Sequence, residues 1–316
     1  MNISSNRRTF LKQAALLPLG ASMSSAALAA QAPEVSTATE GQPLKISLNA
    51  YSFAQALTAP AAGGKAAMTL FDALDFCAQK NFDGIDATGY YFPGYPKVPA
   101  DSYIYDFKRQ AHKLGLVITG TGVKNNFAQA DAALRAQDVQ LVKDWIEVAA
   151  KLGAPVIRVF AGPAPIGHAW DDVAAWIVED LKQCVDYGRQ HGVIVGIQNH
   201  ADFIQTADQV IKLIKLVDSD WFGVVLDTGS FQTGDPYAEI ASVVPYAVNF
   251  QIKESPLGPA NPMRMDINKL IQIIRAGGYR GYLPIETLVV PGTPYQPRVL
   301  LPQMLQKVRL AIAQAG

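Results

Sequence analysis

Gly196-Ile197-Gln198-Asn199-His200 and Val224-Val225-Leu226-Asp227-Thr228-Gly229 open the stretch that decides the fold. Two further segments continue it, Asn249-Phe250-Gln251-Ile252-Lys253 and Leu283-Pro284-Ile285-Glu286-Thr287. Each of the four is a short apolar run that ends on polar residues. Uninterrupted apolar runs are typical of strands buried in a parallel sheet, and a helical pattern separates each pair, as parallel neighbours require. The stretch therefore predicts consecutive βα units.

The rest of the chain repeats this alternation. From Leu44 onward, strand and helix patterns alternate eight times. Several predicted helices stop at a glycine, such as Gly153 or Gly192, and a strand follows at once. Eight strand–helix pairs in a chain of this length predict a single α/β domain, a (β/α)8 TIM barrel over residues 44–316. An open doubly wound sheet is the rival fold, but no glycine-rich dinucleotide motif follows an early strand.

The first residues of the chain predict export rather than fold. Residues 1–30 contain the pair Arg7-Arg8, an uncharged Ala- and Leu-rich stretch, and the small-x-small site Ala27-Leu28-Ala29. A membrane anchor is the alternative, but the apolar part is shorter than the ~20 residues of a spanning helix. The segment resembles a twin-arginine (Tat-type) signal. We therefore expect a periplasmic or secreted protein with no stable membrane anchor, in which residues 31–43 are a linker.

The composition limits the classes of partner. Lys and Arg total 27, as do Asp and Glu, so the formal net charge is zero. A sequence-independent nucleic-acid binder needs a basic face, so we expect no nucleic-acid partner. Cys77 and Cys184 both lie in apolar-periodic helices, which favours buried free thiols over a disulfide. Only four histidines are present, too few for several imidazole-rich zinc sites.

The four opening segments also predict a site. Parallel strands place all their C-terminal ends on one side of a sheet, so Gln198, Asp227, Gln251 and Glu286 should meet around a single cavity. His200 lies two residues beyond Gln198, and Lys253 lies two residues beyond Gln251. Side chains two positions apart share one face of a strand, so both should face the same cavity. For each, a role in fixing a loop or a place on the surface is the alternative.

With these motifs the chain resembles the xylose isomerase-like TIM barrels, a group of sugar isomerases and epimerases. The resemblance rests on Gly84-Ile85-Asp86, Ile157-Arg158-Val159-Phe160, Leu226-Asp227-Thr228-Gly229, Gln251-Ile252-Lys253 and Ile285-Glu286. In that family a divalent metal at the barrel mouth is held by Glu, Asp, His and Glu from strands five to eight. Matched one by one, this chain has Gln198, Asp227, Gln251 and Glu286 at those positions. Two of the four positions therefore depart from the family pattern.

The resemblance implies a metal site with altered chemistry. Amide oxygens can bind hard cations, so we expect Mn²⁺ or Mg²⁺ in preference to Zn²⁺, which favours imidazole and thiolate ligands. The two amides carry no charge, however, and hold the metal less strongly than the family's own set. A decayed site in a sugar-binding protein is the alternative.

The departures also bear on proton transfer. Epimerisation with two bases needs one group on each face of the reacting carbon. In the resembled enzymes the first and last Glu share that task, but Gln198 cannot accept a proton, so Glu286 remains as the base. His200 is the candidate partner acid or base, and Lys253 is a candidate to stabilise an enolate. With a single base, 1,2-isomerisation or elimination of a group β to a carbonyl would follow.

Three further residues are candidates for substrate binding. Arg158 should point into the barrel mouth and orient the substrate, with core pairing as the alternative. Asp86 is a candidate for contact with a sugar hydroxyl, and Phe231 is one of several loop aromatics that follow strand ends and could stack on a sugar face. For Asp86 the alternatives are a helix N-cap or a partner at the bottom of the barrel, and for Phe231 the alternative is loop packing.

These observations predict a periplasmic sugar isomerase or epimerase that acts on a non-phosphorylated carbohydrate through a metal-stabilised enediolate. The first alternative is a lyase, either a dehydratase or a 3-keto-glycoside eliminase or hydratase, acting on an oxidised sugar. The second is a catalytically silent sugar-binding barrel. The expected partner is a small carbohydrate, and an oligomer is compatible with the sequence.

Overall fold

A computed structural model describes residues 44–58, 64–200, 202–231, 235–253, 264–289, 292 and 294–315. The predicted export signal, 1–30, and linker, 31–43, lie outside these ranges. Within the described part of the chain, no helix combines the length and apolar character that crossing a bilayer demands.

Eight parallel strands form a closed barrel in which each strand pairs with the next and β1 pairs with β8. This confirms the predicted (β/α)8 TIM barrel. The strands are β1 Lys45–Asn49, β2 Gly84–Thr88, β3 Val117–Gly122, β4 Val156–Phe160, β5 Ile194–Gln198, β6 Phe222–Asp227, β7 Ala247–Lys253 and β8 Tyr282–Glu286.

Helices alternate with these strands. They are α1 Ala54–Leu57, α2 Leu70–Gln79, α3 Asp101–Lys113, α4 Ala132–Leu152, α5 Trp170–His191, α6 Ala207–Val217, α7 Pro236–Val243, α8 Ile267–Ala276 and α9 Pro297–Gln314. The short α1 and the 3-10 turn before it, Ala50–Phe53, were not predicted. The Asn49 side chain accepts a hydrogen bond from the Tyr51 backbone N–H at 2.9 Å and so starts that turn.

Local sequence signals set the helix ends. Thr69 and Asp72 form a reciprocal capping box at the start of α2, and Thr206 and Gln209 do so at α6. The helices α4 and α5 end at Gly153 and Gly192 in the left-handed conformation. Both cysteines, Cys77 and Cys184, are free and buried, as predicted.

A polar layer fills the barrel interior below the strand ends. The Thr119 hydroxyl donates to the Ser47 hydroxyl oxygen at 3.0 Å, and the Asn249 amide donates to Asp86 Oδ2 at 3.3 Å. On β3, Gly120 leaves the space that Asp86 uses, because a Cβ there would lie 2.7 Å from Asp86 Oδ2. The core between strands and helices is apolar, so these polar groups satisfy one another inside the barrel.

Candidate active site

A cavity of about 800 Å³ opens at the C-terminal ends of the strands. Its wall includes residues from the ends of β1, β2, β4, β5, β7 and β8 and from the loops that follow. They are Asn49, Tyr51, Thr88, Tyr90, Lys124, Asn125, Asn126, Gln129, Asp138, Arg158, Phe160, Gly162, Pro163, Gln198, His200, Asp202, Gln251, Lys253, Glu286 and Leu288. Ligand sites in this fold lie at this end of the barrel, which makes the cavity the candidate active site.

A buried lysine occupies the centre of the predicted site. Lys253 Nζ lies 2.6 Å from Asp227 Oδ2 and 3.2 Å from Glu286 Oε1. All three side chains are buried, and Asp227 has no exposed surface. The strand register brings them together, since Lys253 lies opposite Glu286 across β7 and β8, and Asp227 lies opposite Gln251 across β6 and β7.

Two amides complete this cluster. Gln198 Nε2 donates to Asp227 Oδ2 at 2.7 Å and to Gln251 Oε1 at 2.8 Å. The carboxylate of Asp227 accepts a further bond on Oδ1 from the Gly229 backbone N–H at 3.0 Å. The structure thus brings all four predicted residues together, and both oxygens of Asp227 already accept from N–H donors.

Burial and charge set the protonation of the cluster. Burial alone would lower the pKa of Lys253, but the carboxylates of Asp227 and Glu286 outweigh it and hold that pKa above its ordinary value. Lys253 is therefore a fixed positive charge. Burial also raises the pKa of Glu286, although the Lys253 ammonium opposes this shift. A carboxylate with a raised pKa is a better proton acceptor.

The opposite wall is built around Arg158. Its guanidinium stacks 4.1 Å from the Phe160 ring centroid and donates to the Tyr90 hydroxyl and, at 3.3 Å, to the Val123 carbonyl. The arginine is buried and lines the cavity, where it was predicted to point. Gly122 on β3 makes room for it, because a Cβ at that position would lie 2.7 Å from Arg158 Nη2.

His200 stands at the rim. Its side chain is half exposed, its ring packs edge-on against Phe160 at 4.8 Å, and its Nδ1 lies 3.6 Å from Asp202 Oδ2. It lines the cavity, so it is available to a bound molecule but is held outside the buried cluster.

Two candidates for substrate binding lie away from the cavity wall. Asp86 is buried in the polar layer and hydrogen-bonded to Asn249, and Phe231 is buried in the hydrophobic core. Neither is one of the lining residues. Burial raises the pKa of Asp86 to about 6, while Arg158 lowers it and Glu286 raises it further.

Sequence reasoning predicted Arg158 of β4 at the cavity but missed other residues that the first half of the barrel contributes. Asn49 and Thr88 end β1 and β2, so the strand-end rule applied to β5–β8 would have found them. Asn125 bonds the Phe160 backbone twice, at 2.8 and 2.9 Å. Asp138 accepts from Gln129 at 2.9 Å. Asn125 lies in the loop after β3 and Asp138 lies in α4, so neither belongs to the strand pattern that marked the other candidates.

The cluster does not fit the divalent metal that the family resemblance implies. Lys253 and Gln198 both present N–H groups to Asp227 Oδ2, and Lys253 also contacts Glu286. A divalent cation held by these acids would be repelled by the ammonium that they already bind. In the described part of the chain, no group of three His, Cys, Asp or Glu side chains is placed to hold a metal. We therefore assign no chemical step to a metal.

The profile of the family described as "Xylose isomerase-like TIM barrel" matches residues 74–301. This chain belongs to the xylose isomerase-like TIM barrel family. No curated protein sequence matches it.

Solved structures of this xylose isomerase-like type share the fold at low sequence identity. The 3-keto-D-glucoside 4-epimerase of E. coli is 15% identical with a TM-score of 0.66, and the match covers 84% of this chain and 99% of that one. D-psicose 3-epimerase of Clostridium cellulolyticum H10, solved with D-tagatose, is 18% identical with a TM-score of 0.66 and coverages of 86% and 98%. The D-allulose 3-epimerase of Methylomonas sp. is 15% identical with a TM-score of 0.66 and coverages of 85% and 98%. At these identities the comparison establishes the fold.

Proposed function

We propose that this protein is an exported isomerase or epimerase of a non-phosphorylated carbohydrate that works by enolisation. One observation carries the proposal: a buried carboxylate, Glu286, lies beside a buried ammonium, Lys253, on the wall of a cavity at the barrel mouth. The named activities of the structural neighbours, which are sugar epimerases, support it. The paired arginines Arg7 and Arg8 support export.

The chemistry follows from this pair. Glu286 removes the proton from the carbon next to the sugar carbonyl, and the electron pair of that C–H bond moves to the carbonyl oxygen to form an enediolate. The Lys253 ammonium stabilises the negative oxygen. Return of the proton to the neighbouring carbon gives an isomer, and return to the other face of the same carbon gives an epimer. His200 is the proposed acid for the second outcome.

The polar groups of the cavity wall suit a neutral sugar. Lys253 is engaged by two carboxylates and is not free to pair with a phosphate. The amides of Asn49, Asn125 and Asn126 on the wall suit hydroxyl groups, which both donate and accept.

A lyase is the second candidate, and Gln198 favours it. An amide cannot act as the second base, so Glu286 is the only carboxylate of the predicted proton-transfer pair. Removal of a proton by Glu286 followed by loss of a group β to the carbonyl needs one base only. The same enediolate would form first, so a single assay addresses both candidates.

The test is exchange of substrate hydrogen with solvent. D-Tagatose, D-psicose and a 3-keto-glucoside are incubated with the protein in D₂O and followed by proton NMR. We expect loss of the signal of the hydrogen next to the carbonyl, and Glu286→Gln should slow that loss by about 10²–10⁴-fold. Glu147→Gln, which alters a surface acid bonded to Tyr187, is the control. Formation of a new sugar identifies the isomerase. Release of the group β to the carbonyl identifies the lyase. Binding without exchange for every sugar would overturn the proposal and leave a silent sugar-binding barrel.

A further inference from the structure

We infer that Lys253 permanently provides the cation of this site, so that the barrel needs no divalent metal between Asp227 and Glu286. Its role in catalysis rests on the proposed function, but its place in the cluster does not. In place of the expected Mn²⁺ or Mg²⁺, the site has a positive charge that is part of the polypeptide. Three observations carry it.

The first observation is position. Lys253 Nζ contacts a carboxylate oxygen from β6 and another from β8, at 2.6 and 3.2 Å. The other oxygen of Asp227, Oδ1, accepts from the Gly229 backbone N–H at 3.0 Å. A metal held by Asp227 would therefore compete with donors that already occupy both of its oxygens, and the ammonium already supplies a positive charge to both acids.

The second observation is charge. Two carboxylates and one ammonium leave this buried cluster with a single formal negative charge. A divalent ion added to it would meet Lys253 as a like charge in a low-dielectric setting, where repulsion is strong. The two acids compensate the removal of the lysine from water, and the ammonium in turn neutralises one of the two negative charges that would attract a metal.

The third observation is the amides. At the positions where the family resemblance implies Glu and His, the chain has Gln198 and Gln251. Gln198 turns its N–H₂ group to Asp227 and to Gln251 Oε1, because an ionised carboxylate only accepts hydrogen bonds. The Gln198 nitrogen that faces Asp227 is a donor, whereas the Glu implied at that position would donate electrons to a cation. The oxygen of Gln251 already accepts from Gln198, so neither amide is held in an arrangement that favours a metal.

The test measures metal binding directly. The wild-type protein, purified without chelators, is analysed for bound elements and titrated with Mn²⁺ while the EPR signal of free Mn²⁺ is recorded. We expect no stoichiometric metal and a Kd weaker than about 1 mM. Stoichiometric metal or micromolar Mn²⁺ affinity in the wild type would overturn the inference.

Two matched variants that differ only at position 253 isolate the effect of Lys253 on Mn²⁺ affinity. Gln198→Glu with Gln251→His restores the ligand types of the family while keeping Lys253, and the triple variant adds Lys253→Met. The triple variant should bind Mn²⁺ at least about tenfold more tightly than the double variant. Equal affinities in the two folded variants would contradict the inference. Circular dichroism checks the fold, and the wild-type titration decides the question if a variant does not fold.

These outcomes are separate from those of the exchange assay. Tight Mn²⁺ binding by the wild type would remove the lysine inference and leave the sugar isomerase proposal standing. Absence of exchange with every sugar would remove the isomerase proposal and leave the metal result valid. Wild-type exchange in the presence of EDTA should change by less than about twofold, and a larger loss would also count against the lysine.

Discussion

Two buried ion clusters of this molecule differ in what surrounds them. Between α4 and α5, Arg135 Nε lies 2.9 Å from Asp180 Oδ2, and its Nη1 donates to the carbonyls of Gln129 and Ala130. At the barrel mouth, Lys253 meets two carboxylates and also lines the cavity. The first cluster bonds only protein groups on adjoining helices and the preceding loop, so it supports the fold. The second lines the cavity, and the proposed function gives it a role in catalysis.

The sharpest test of this difference is Lys253→Met. Loss of the ammonium removes the charge that stabilises the enediolate, so the rate of substrate hydrogen exchange should fall by about 10²–10³-fold. The measurement is the proton NMR exchange assay at saturating sugar. Lys212→Met, which alters an exposed lysine paired with Asp171, should leave the rate unchanged. If Lys253→Met exchanged substrate hydrogen at a rate within about threefold of the wild-type rate, the two clusters would not differ in the way described.

For the Arg135–Asp180 cluster, we expect substitutions to change the stability of the fold and not the exchange rate. Arg135→Met leaves Asp180 buried without its partner, which should lower the free energy of unfolding by about 3–5 kcal/mol. Adding Asp180→Leu should recover most of that loss. Urea denaturation provides the measurement, and Arg109→Met at the exposed Arg109–Asp106 pair, expected to cost under about 1 kcal/mol, is the control. A small effect in Arg135→Met would show that this cluster is not a stabilising one.

Asp86 extends the comparison to a buried acid that has no cation as its hydrogen-bond partner. Its partner is the amide of Asn249. Its pKa of about 6 in the folded state exceeds the value near 4 of an unfolded chain. A raised acid pKa contributes stability below pH 4 that is lost as the pH rises through 6. Asp86→Asn cannot ionise, so relative to wild type it should gain about 2–3 kcal/mol between pH 4 and pH 8.

Urea denaturation at pH 4, 6 and 8 measures this gain, with the exposed-site variant Asp106→Asn as the control for general effects of charge. An unchanged difference between Asp86→Asn and wild type across that range would mean that Asp86 stays ionised throughout.

The smallest expected effect concerns a third buried cation, Arg158, which bonds a neutral hydroxyl. Tyr90→Phe removes the hydroxyl that accepts from Arg158 and leaves the guanidinium less well fixed. A hydrogen bond to a charged group is worth about 1.5–3 kcal/mol. Part of that loss should weaken sugar binding, so KM for the sugar should rise about three- to tenfold while kcat changes little. Steady-state kinetics measures both, and Tyr105→Phe, at an exposed tyrosine, is the control. A fall in kcat alone would place Tyr90 in the chemical step.

The sequence predicted the barrel and the meeting of four strand ends because both depend on periodicity. Residues two apart on a strand share a face, which correctly placed Lys253 and His200 on the cavity wall. The contact of Lys253 with both acids depends on the strand registers between β6, β7 and β8 and on side-chain reach, which no pattern in the chain encodes. Phe231 follows a strand end as the other candidates do, yet packs into the core, since loop direction decides where such a side chain goes.

Gly120 and Gly122 have a consequence for how this barrel can change over time. Asp86 occupies the space that a side chain at position 120 would need, and Arg158 occupies the space that a side chain at position 122 would need. Substitutions on β3 are therefore restricted by residues on β2 and β4 and not by β3 itself. We expect coordinated variation among relatives: a lineage that loses the arginine becomes free to place alanine or serine at position 122, and one that keeps the arginine must retain glycine there.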